Sequence, residues 1–114
     1  MRFGIIGTAG IARKALIPAI ERTDHTVDAI ASRDESRARA VADEFDIPRA
    51  FGSYESLLGA PELDAVYNPL PNGLHAEWTK RAADEGLHVL SEKPLTVDAD
   101  EAVSVVEHCR DAGV

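Results

Sequence analysis

Residues 3–12 read FGIIGTAGIA, a short apolar run that passes through a glycine-rich turn into a segment with helical spacing. The apolar run predicts a buried β-strand, and the glycines predict a tight turn at its carboxyl end. A strand, a glycine-rich turn and a helix in this order make up the first part of a βαβ unit. We therefore expect a parallel sheet that begins with this strand.

Strand-like and helix-like segments alternate along the rest of the chain. The runs that predict strands are Phe3–Ile6, Val27–Ala31, Arg49–Phe51, Ala65–Tyr67 and His88–Leu90. A segment with helical spacing follows each of them. This alternation predicts an α/β fold with a doubly wound parallel sheet of about five strands, in the order 3-2-1-4-5, and helices on both faces. Pro18 should kink or end the first helix, because proline removes a backbone hydrogen bond.

The predicted helices carry end signals. Ser53 is expected to cap the third helix, and Asp98 followed by Glu101 resembles a capping box at the start of the fifth. Gly86 and Gly113 stand just past predicted helix ends, where a left-handed residue is favoured. The apolar positions expected to line the core side of the fifth helix are Ala102, Val103, Val106 and Cys109.

Length and charge limit the classes of function. A chain of 114 residues predicts one domain, residues 1–114, and its net charge of −8 argues against nucleic acid and anionic membranes as partners. The sequence contains no apolar run near the roughly 20 residues that a membrane span needs. Cys109 is the only cysteine, which excludes an intrachain disulfide. We therefore expect a cytoplasmic protein.

The glycine-rich turn follows the pattern G-x-A-x-x-A, close to the dinucleotide fingerprint G-x-G-x-x-A. Gly7 supplies the tight turn, Ala9 lies where the backbone approaches a pyrophosphate, and Ala12 allows close packing of helix on strand. The start of the helix offers N–H groups to the phosphates. The expected phosphate-binding residues are Gly7, Thr8, Ala9, Gly10, Ile11 and Ala12. The alternative is a strand-to-helix turn that binds nothing.

The end of the second strand indicates which dinucleotide is preferred. NAD-binding proteins usually carry an acid here that bonds the ribose 2′-hydroxyl, whereas this chain has Ser32 followed by Arg33. A hydroxyl and a guanidinium suit a 2′-phosphate, which a carboxylate would repel. We therefore predict NADP, with NAD as the alternative. The other interpretation is that Arg33 is a solvated surface residue and Asp34 an ordinary helix cap.

A proline-set turn, YNPLPNGLH at residues 67–75, follows the fourth strand, where such turns face the cofactor crevice. Leu70 and Pro71 are candidates to flank the adenosine and ribose. Asn68 and Asn72 are candidates for amide hydrogen bonds to the cofactor, although Asn72 could equally cap the next helix. His75 could reach toward the cofactor or be structural.

The fifth strand delivers Glu92, Lys93 and Pro94 to the same edge of the sheet. Pro94 favours an extended backbone at Lys93. A lysine beside a nicotinamide could donate to a substrate hydroxyl or carbonyl and stabilise developing alkoxide charge. Glu92 could bond the nicotinamide ribose or orient the lysine. The alternative is an ion pair at a strand end.

These segments resemble a known family. GIIGTAGIARK, YNPLPNGLH and SEKPL occur in the order found in the Gfo/Idh/MocA oxidoreductases, and the chain resembles their N-terminal NAD(P)-binding Rossmann domain over essentially its whole length. The resemblance implies that Lys93 contacts nicotinamide ribose and substrate and supports catalysis. It also implies that Glu92 and Pro94 shape the cofactor site. The segment Ala31-Ser32-Arg33 is similar to the corresponding segment of NADP-using members.

Two departures from the family pattern stand out. Ala9 replaces the commoner second glycine, and the family's second domain, which binds substrate and supplies a histidine acid/base, is absent from these 114 residues. The leading hypothesis is the cofactor-binding domain of an NADP(H)-dependent oxidoreductase that moves hydride between nicotinamide and a small-molecule sugar or polyol-like substrate. By itself the chain should bind cofactor and turn over slowly or not at all.

Two further functions stay open at this point. One is a stand-alone dinucleotide-binding or redox-sensing module that docks on a partner chain, and homo-oligomers are compatible with either function. The other is a methyltransferase-like adenosine binder, which the absence of an acid after the second strand disfavours. No His, Cys or carboxylate spacing predicts a metal site.

Overall fold

The computed structural model of the chain describes residues 1–8, 10, 15–92 and 98–114, without the side chain of Asn72. The strands are β1 (Arg2–Ile6), β2 (Thr26–Ala31), β3 (Arg49–Phe51), β4 (Ala65–Asn68) and β5 (His88–Ser91). All four pairings between them are parallel, and the order across the sheet is β3-β2-β1-β4-β5. The predicted fold class and strand order are confirmed, and each predicted strand is found to within a residue at either end.

In the described part of the chain, helices connect or follow the strands. They are α1 (Ile17–Glu21), α2 (Glu35–Phe45), α3 (Tyr54–Leu58), α4 (His75–Asp84) and α5 (Ala99–Ala112), with a 3-10 turn at Asn72–Leu74 ahead of α4. Residues 15–16 have π-helical geometry, and Pro18 falls in the first turn of α1. Proline is tolerated there, since N–H groups of the first turn have no partner within the helix. The helical geometry changes just before Pro18, and α1 continues past it to Glu21, so the helix does not end at the proline.

The helix ends follow local chemistry. The backbone N–H of Ser56 donates to Ser53 Oγ at 3.1 Å. The N–H of Glu101 donates to Asp98 Oδ1 at 2.7 Å, so both predicted caps are confirmed. Gly86 has a φ of 77° and Gly113 a φ of 82°, the left-handed conformation expected past a helix end.

The core has two layers, one on each face of the sheet. On the first face, side chains of β1, β2 and β4 pack against α1 and α2, and the buried set is Ile5, Ile17, Ile20, Val27, Ile30, Val41, Ala42, Ile47 and Tyr67. On the second face, the strands pack against α3 and α4, and the buried set includes Ile6, Leu57, Leu58, Val66, Trp78 and Ala82. Successive residues of a strand point to opposite faces, which is why Val66 and Tyr67 belong to different layers.

The fifth helix departs from the prediction. It packs against α4 and buries Val105, whereas Val103 is 57% exposed and Val106 is 46% exposed. The expectation that Val103 and Val106 face the core is therefore wrong. The reason is that β5 is an edge strand, so α5 has a neighbouring helix on one side only. Leu90 of β5 is also 47% exposed. No helix in the described part of the chain is long and apolar enough to cross a membrane.

Candidate dinucleotide-binding site

The loops after the strands meet at the carboxyl edge of the sheet. Gly7 N–H donates to the carbonyl of Ala31 at 2.8 Å, so the chain after β1 stays beside the end of β2. Ser32 N–H donates to the carbonyl of Phe51 at 3.1 Å, and Glu92 N–H donates to the carbonyl of Asn68 at 3.1 Å. These bonds extend the strand pairing by about one residue and bring the candidate residues of four loops to one edge.

Gly7 is fixed in a conformation that favours glycine. Its φ is 102°, and a Cβ added there would meet Leu70 Cδ2 at 3.3 Å. The glycine therefore allows the loop after β1 to lie against the turn after β4. Thr8 is half-buried, and a Cβ added at the exposed Gly10 would meet nothing within 4 Å, so the backbone there is open to a ligand. Ala9, Ile11 and Ala12 lie outside the described residues.

The predicted ribose-discriminating residues form a tight turn after β2. Ser32 is buried, and its Oγ accepts a hydrogen bond from the N–H of Asp34 at 3.2 Å. That bond uses an oxygen lone pair and leaves the hydroxyl proton able to donate. Asp34 Oδ1 accepts from the N–H of Ser36 at 2.9 Å, so Asp34 is the cap of α2. Arg33 is exposed and lies at the rim of a groove.

This groove, which we call the Arg33 groove, has a volume of about 470 Å³. It lies between the ends of β2, β3 and β4. The residues that line it are Arg33, Gly52, Ser53, Tyr54, Glu55, Leu70, Pro71, Leu74 and Trp78. One cation, apolar walls and an aromatic ring suit a flat heterocycle with a phosphate nearby. Leu70 and Pro71, predicted to flank adenosine, are both in the wall.

Aromatic and charged contacts hold the wall of the groove. The rings of Tyr54 and Trp78 pack edge to face with centroids 5.1 Å apart. The guanidinium of Arg81 lies 4.5 Å from the centroid of the Trp78 ring and pairs with Glu55 at 3.1 Å. That pairing offsets a carboxylate charge close to where a phosphate would bind. Trp78, interpreted from the sequence as core, is buried and also lines the groove.

The asparagine at the end of β4 holds the turn together. Asn68 is fully buried, and its Nδ2 donates to the carbonyl of His75 and to Thr79 Oγ1, both at 3.2 Å. Its Oδ1 accepts from the N–H of Leu70 at 3.3 Å. The amide therefore fixes Leu70 against α4, and the buried His75 lies at the start of that helix. Leu74 occupies the N-cap position of α4, and the side chain of Asn72, a candidate for the cofactor or for the helix cap, lies outside what the structure describes.

The ends of β4 and β5 are joined by a hydrogen bond from the Tyr67 hydroxyl to Glu92 Oε1. Burial raises the pKa of Tyr67, and the hydrogen bond to Glu92 and the negative charge of that carboxylate raise the pKa further. Tyr67 therefore stays a proton donor at neutral pH. Lys93 and Pro94 lie outside the described residues, and Glu92 is the described member of the predicted catalytic segment.

Three residues that make contacts at this edge of the sheet were not predicted from the sequence. Tyr54 lines the Arg33 groove, Arg81 braces its wall, and Tyr67 contacts Glu92. The position of Tyr54, directly after the cap of a helix that follows β3, was a usable signal for the first. Among the described residues, no group of three His, Cys, Asp or Glu side chains could hold a metal ion.

A family model described as an oxidoreductase family with an NAD-binding Rossmann fold matches residues 1–114. The chain belongs to the Gfo/Idh/MocA family of oxidoreductases. This Gfo/Idh/MocA chain is 64% identical, over 114 residues, to a D-xylose 1-dehydrogenase (NADP(+)) from Haloferax volcanii, and the match covers 100% of the chain and 35% of that protein.

Two further relatives bear on the family assignment. The chain is 43% identical over 115 residues to a dTDP-3,4-didehydro-2,6-dideoxy-α-D-glucose 3-reductase from Streptomyces violaceoruber, covering 100% of the chain and 33% of the relative. A crystal structure of a 3-ketoreductase from Actinomadura kijaniata, solved with NADP and TDP-benzene, superposes with a TM-score of 0.96 at 43% identity, covering 100% and 35% of the two chains. The Gfo/Idh/MocA chain thus spans about a third of the length of these relatives.

Proposed function

We propose that this Gfo/Idh/MocA domain binds NADP(H) for an oxidoreductase that transfers hydride between the nicotinamide and a sugar or polyol-like substrate. The observation that carries the proposal is the Ser32–Arg33 turn at the rim of the Arg33 groove. A hydroxyl and a guanidinium at this point favour a 2′-phosphate over a 2′-hydroxyl. NAD is the alternative cofactor.

The names of the relatives support both the cofactor and the substrate class in this proposal. The Haloferax protein is named as an NADP(+)-dependent xylose dehydrogenase, and the Actinomadura structure is titled as a 3-ketoreductase complex with NADP. Xylose and the dTDP-linked deoxyglucose of the Streptomyces enzyme are both sugars. The alternative of a stand-alone redox-sensing module receives no support from these relatives. A cytoplasmic location, self-association, and the absence of nucleic acid and membrane partners stay predictions.

Different residues along the carboxyl edge of the sheet would bind different parts of the cofactor. Ser32 and Arg33 would bind the 2′-phosphate, with Leu70 and Pro71 against the adenosine and Asn68 holding that turn in place. Backbone N–H groups of residues 7–12 would bind the pyrophosphate. When bound, the nicotinamide supplies the hydride or accepts it. Glu92 would contact the nicotinamide ribose, and Lys93 would donate a hydrogen bond to the substrate oxygen and stabilise the charge that develops there.

The test is a pair of titrations that follow nicotinamide fluorescence, one with NADPH and one with NADH, on the wild-type chain and on Arg33→Ala. We expect NADPH to bind more tightly than NADH to the wild type. Losing a charged hydrogen bond costs about 1.5–3 kcal/mol, so Arg33→Ala should weaken NADPH binding by roughly 10- to 100-fold and leave NADH binding nearly unchanged.

Arg22→Ala is the matched control, because it removes the same charge from an exposed position at the far end of α1, away from the Arg33 groove. It should alter neither titration beyond a small long-range effect of charge. Equal affinity of the wild type for the two cofactors would refute the preference for NADP, and failure to bind either would refute the whole proposal.

A further inference from the structure

The register of the two last strands places Tyr67 and Glu92 on the same face of the sheet. Tyr67 pairs with Leu90, and Asn68 pairs with Ser91. Side chains alternate along a strand, so Leu90 and Glu92 point to the face on which Tyr67 lies. The bond from Glu92 N–H to the carbonyl of Asn68, 3.1 Å long, continues the pairing to residue 92. The phenol oxygen consequently meets the carboxylate across the two strand ends.

The two partners differ in how firmly they are held. Tyr67 is 2% exposed and packs in the core layer with Ile5, Ile17 and Ile30. Glu92 is only half-buried and stands at the open edge of the sheet. The tyrosine is therefore the fixed donor, and the carboxylate is the group that it orients. A carboxylate has two oxygens, so Oε2 keeps its accepting capacity while Oε1 is bonded to the phenol.

The position of this pair along the edge indicates what Oε2 would meet. The Arg33 groove lies at the β2–β4 side, while Glu92 stands at the end of β5, beyond β1 and β4 in the strand order. Dinucleotides bind across the edge of such a sheet, with their two nucleosides on opposite sides of the first strand. A ligand whose adenosine occupies the Arg33 groove brings its other ribose toward β5, where two hydroxyl groups can donate to a carboxylate.

We propose that Tyr67 is a positioning residue whose hydroxyl orients the Glu92 carboxylate to accept a hydrogen bond from the nicotinamide ribose. This inference rests on the proposed binding of NADP(H). It assigns to Tyr67 a role in holding one half of the dinucleotide, and it leaves the adenosine half to the Arg33 groove. Loss of the phenol hydroxyl should then affect ligands that contain the nicotinamide ribose and spare those that lack it.

The test compares two ligands by calorimetry on the wild type, Tyr67→Phe, Glu92→Ala and the double variant. NADPH contains the nicotinamide ribose, whereas adenosine 2′,5′-bisphosphate contains only the adenosine half and its phosphates. Tyr67→Phe should weaken NADPH binding by roughly 10- to 100-fold, the cost of one hydrogen bond to a charged group, and leave the bisphosphate affinity unchanged. In the Glu92→Ala background, adding Tyr67→Phe should cause no further loss, because the two residues act as one unit.

The possible outcomes separate this inference from the function on which it rests. Equal weakening of both ligands by Tyr67→Phe, or losses that add in the double variant, would show that the phenol only supports the core and would overturn the inference. Unchanged NADPH affinity in Tyr67→Phe would also overturn it, while bisphosphate binding kept the proposed function intact. A wild-type chain that bound neither ligand would refute both. Should Tyr67→Phe unfold, Glu92→Ala at the half-buried partner still tests the inference. Unchanged NADPH affinity in that variant would overturn it, because the carboxylate that Tyr67 orients would then not contact the ribose.

Discussion

The wall of the Arg33 groove contains apolar side chains that contact polar or aromatic neighbours. At the edge formed by β5 and α5, by contrast, apolar side chains are exposed to solvent. Trp78 lies between the Tyr54 ring and the Arg81 guanidinium, while Leu90 and Val103 are exposed. Both regions border a groove of about 470 Å³. The comparison shows that cavity size does not separate the candidate site from the groove between β5 and α5. An arginine lines each groove, Arg33 in one and Arg110 in the other, so what distinguishes the Arg33 groove is a wall that the contacts of Trp78 with Tyr54 and Arg81 hold in place.

The largest effect is expected from a side chain placed at the first glycine of the turn. Gly7→Val forces a branched residue into a positive φ and toward Leu70, so it should lower the free energy of unfolding by about 1–3 kcal/mol. NADPH affinity should fall by about tenfold or more, equivalent to about 1.4 kcal/mol. Thermal unfolding and fluorescence titration measure the two effects.

Gly59→Ala is the control for that substitution. The φ of Gly59 is −85°, and a Cβ there would lie 3.7 Å from the Glu55 carbonyl, an ordinary contact. Stability should be preserved or slightly raised. If Gly7→Val and Gly59→Ala had equal effects, the turn after β1 would have no special backbone requirement.

The same substitution in the buried core of the sheet and on the exposed face of α5 sharpens the comparison between covered and uncovered apolar side chains. Val66 is fully buried between strand and helices, and Val103 is exposed on α5. Val66→Ala should destabilise the chain by roughly 2 kcal/mol, since it removes buried methyl groups and leaves a cavity. Val103→Ala should stay within about 0.5 kcal/mol of the wild type. Urea unfolding of both variants gives the difference, and similar losses would mean that α5 buries Val103 in solution.

The ionisation of Tyr67 predicts how stability changes at high pH. Its pKa is raised in the folded chain, so its stabilising effect is complete below the ordinary tyrosine value of 10.0 and is lost as pH rises above it. The loss should approach about 1.4 kcal/mol per pH unit for this one proton. The free energy of unfolding, measured from pH 8 to 11, should therefore fall less steeply in Tyr67→Phe than in the wild type. Parallel curves would contradict the raised pKa.

The smallest effect is expected at the brace of the groove wall. Arg81 pairs with Glu55 and Glu77 at the surface and lies over Trp78, so Arg81→Ala should cost about 0.5–1 kcal/mol of stability. It should also weaken NADPH binding slightly, because the Glu55 charge is no longer offset. Arg81→Lys restores the charge without the planar stack and should recover the binding more than the stability. A loss of binding equal in both variants would indicate that stacking on Trp78, and not charge, matters.

Local patterns predicted most of the fold, because each signal acts over a few residues. The strand at 3–6, the caps at Ser53 and Asp98 and the left-handed Gly86 all depend on neighbours within one or two turns. The strand order followed from the alternation and from the handedness of crossovers. The exposure of Val106 could not be predicted in this way, since helical spacing does not say whether a second element covers the face.

The part of the candidate site that was predicted also depends on local signals in the sequence. Arg33, Leu70 and Pro71 follow strand ends and were expected at the edge, where they line one groove. The bond between Tyr67 and Glu92 joins residues 25 apart in sequence and depends on the register of β4 and β5. A shift of one residue would turn the tyrosine to the other face, so spacing alone could not reveal the pair.

A crystal structure of the chain grown with saturating NADPH tests the central claim most directly. We predict electron density for the adenosine in the Arg33 groove, with the 2′-phosphate within hydrogen-bonding distance of Arg33 and Ser32 and the pyrophosphate at the turn that begins with Gly7. An Arg33 groove without nucleotide, or a dinucleotide bound at the β5–α5 edge instead, would contradict the account.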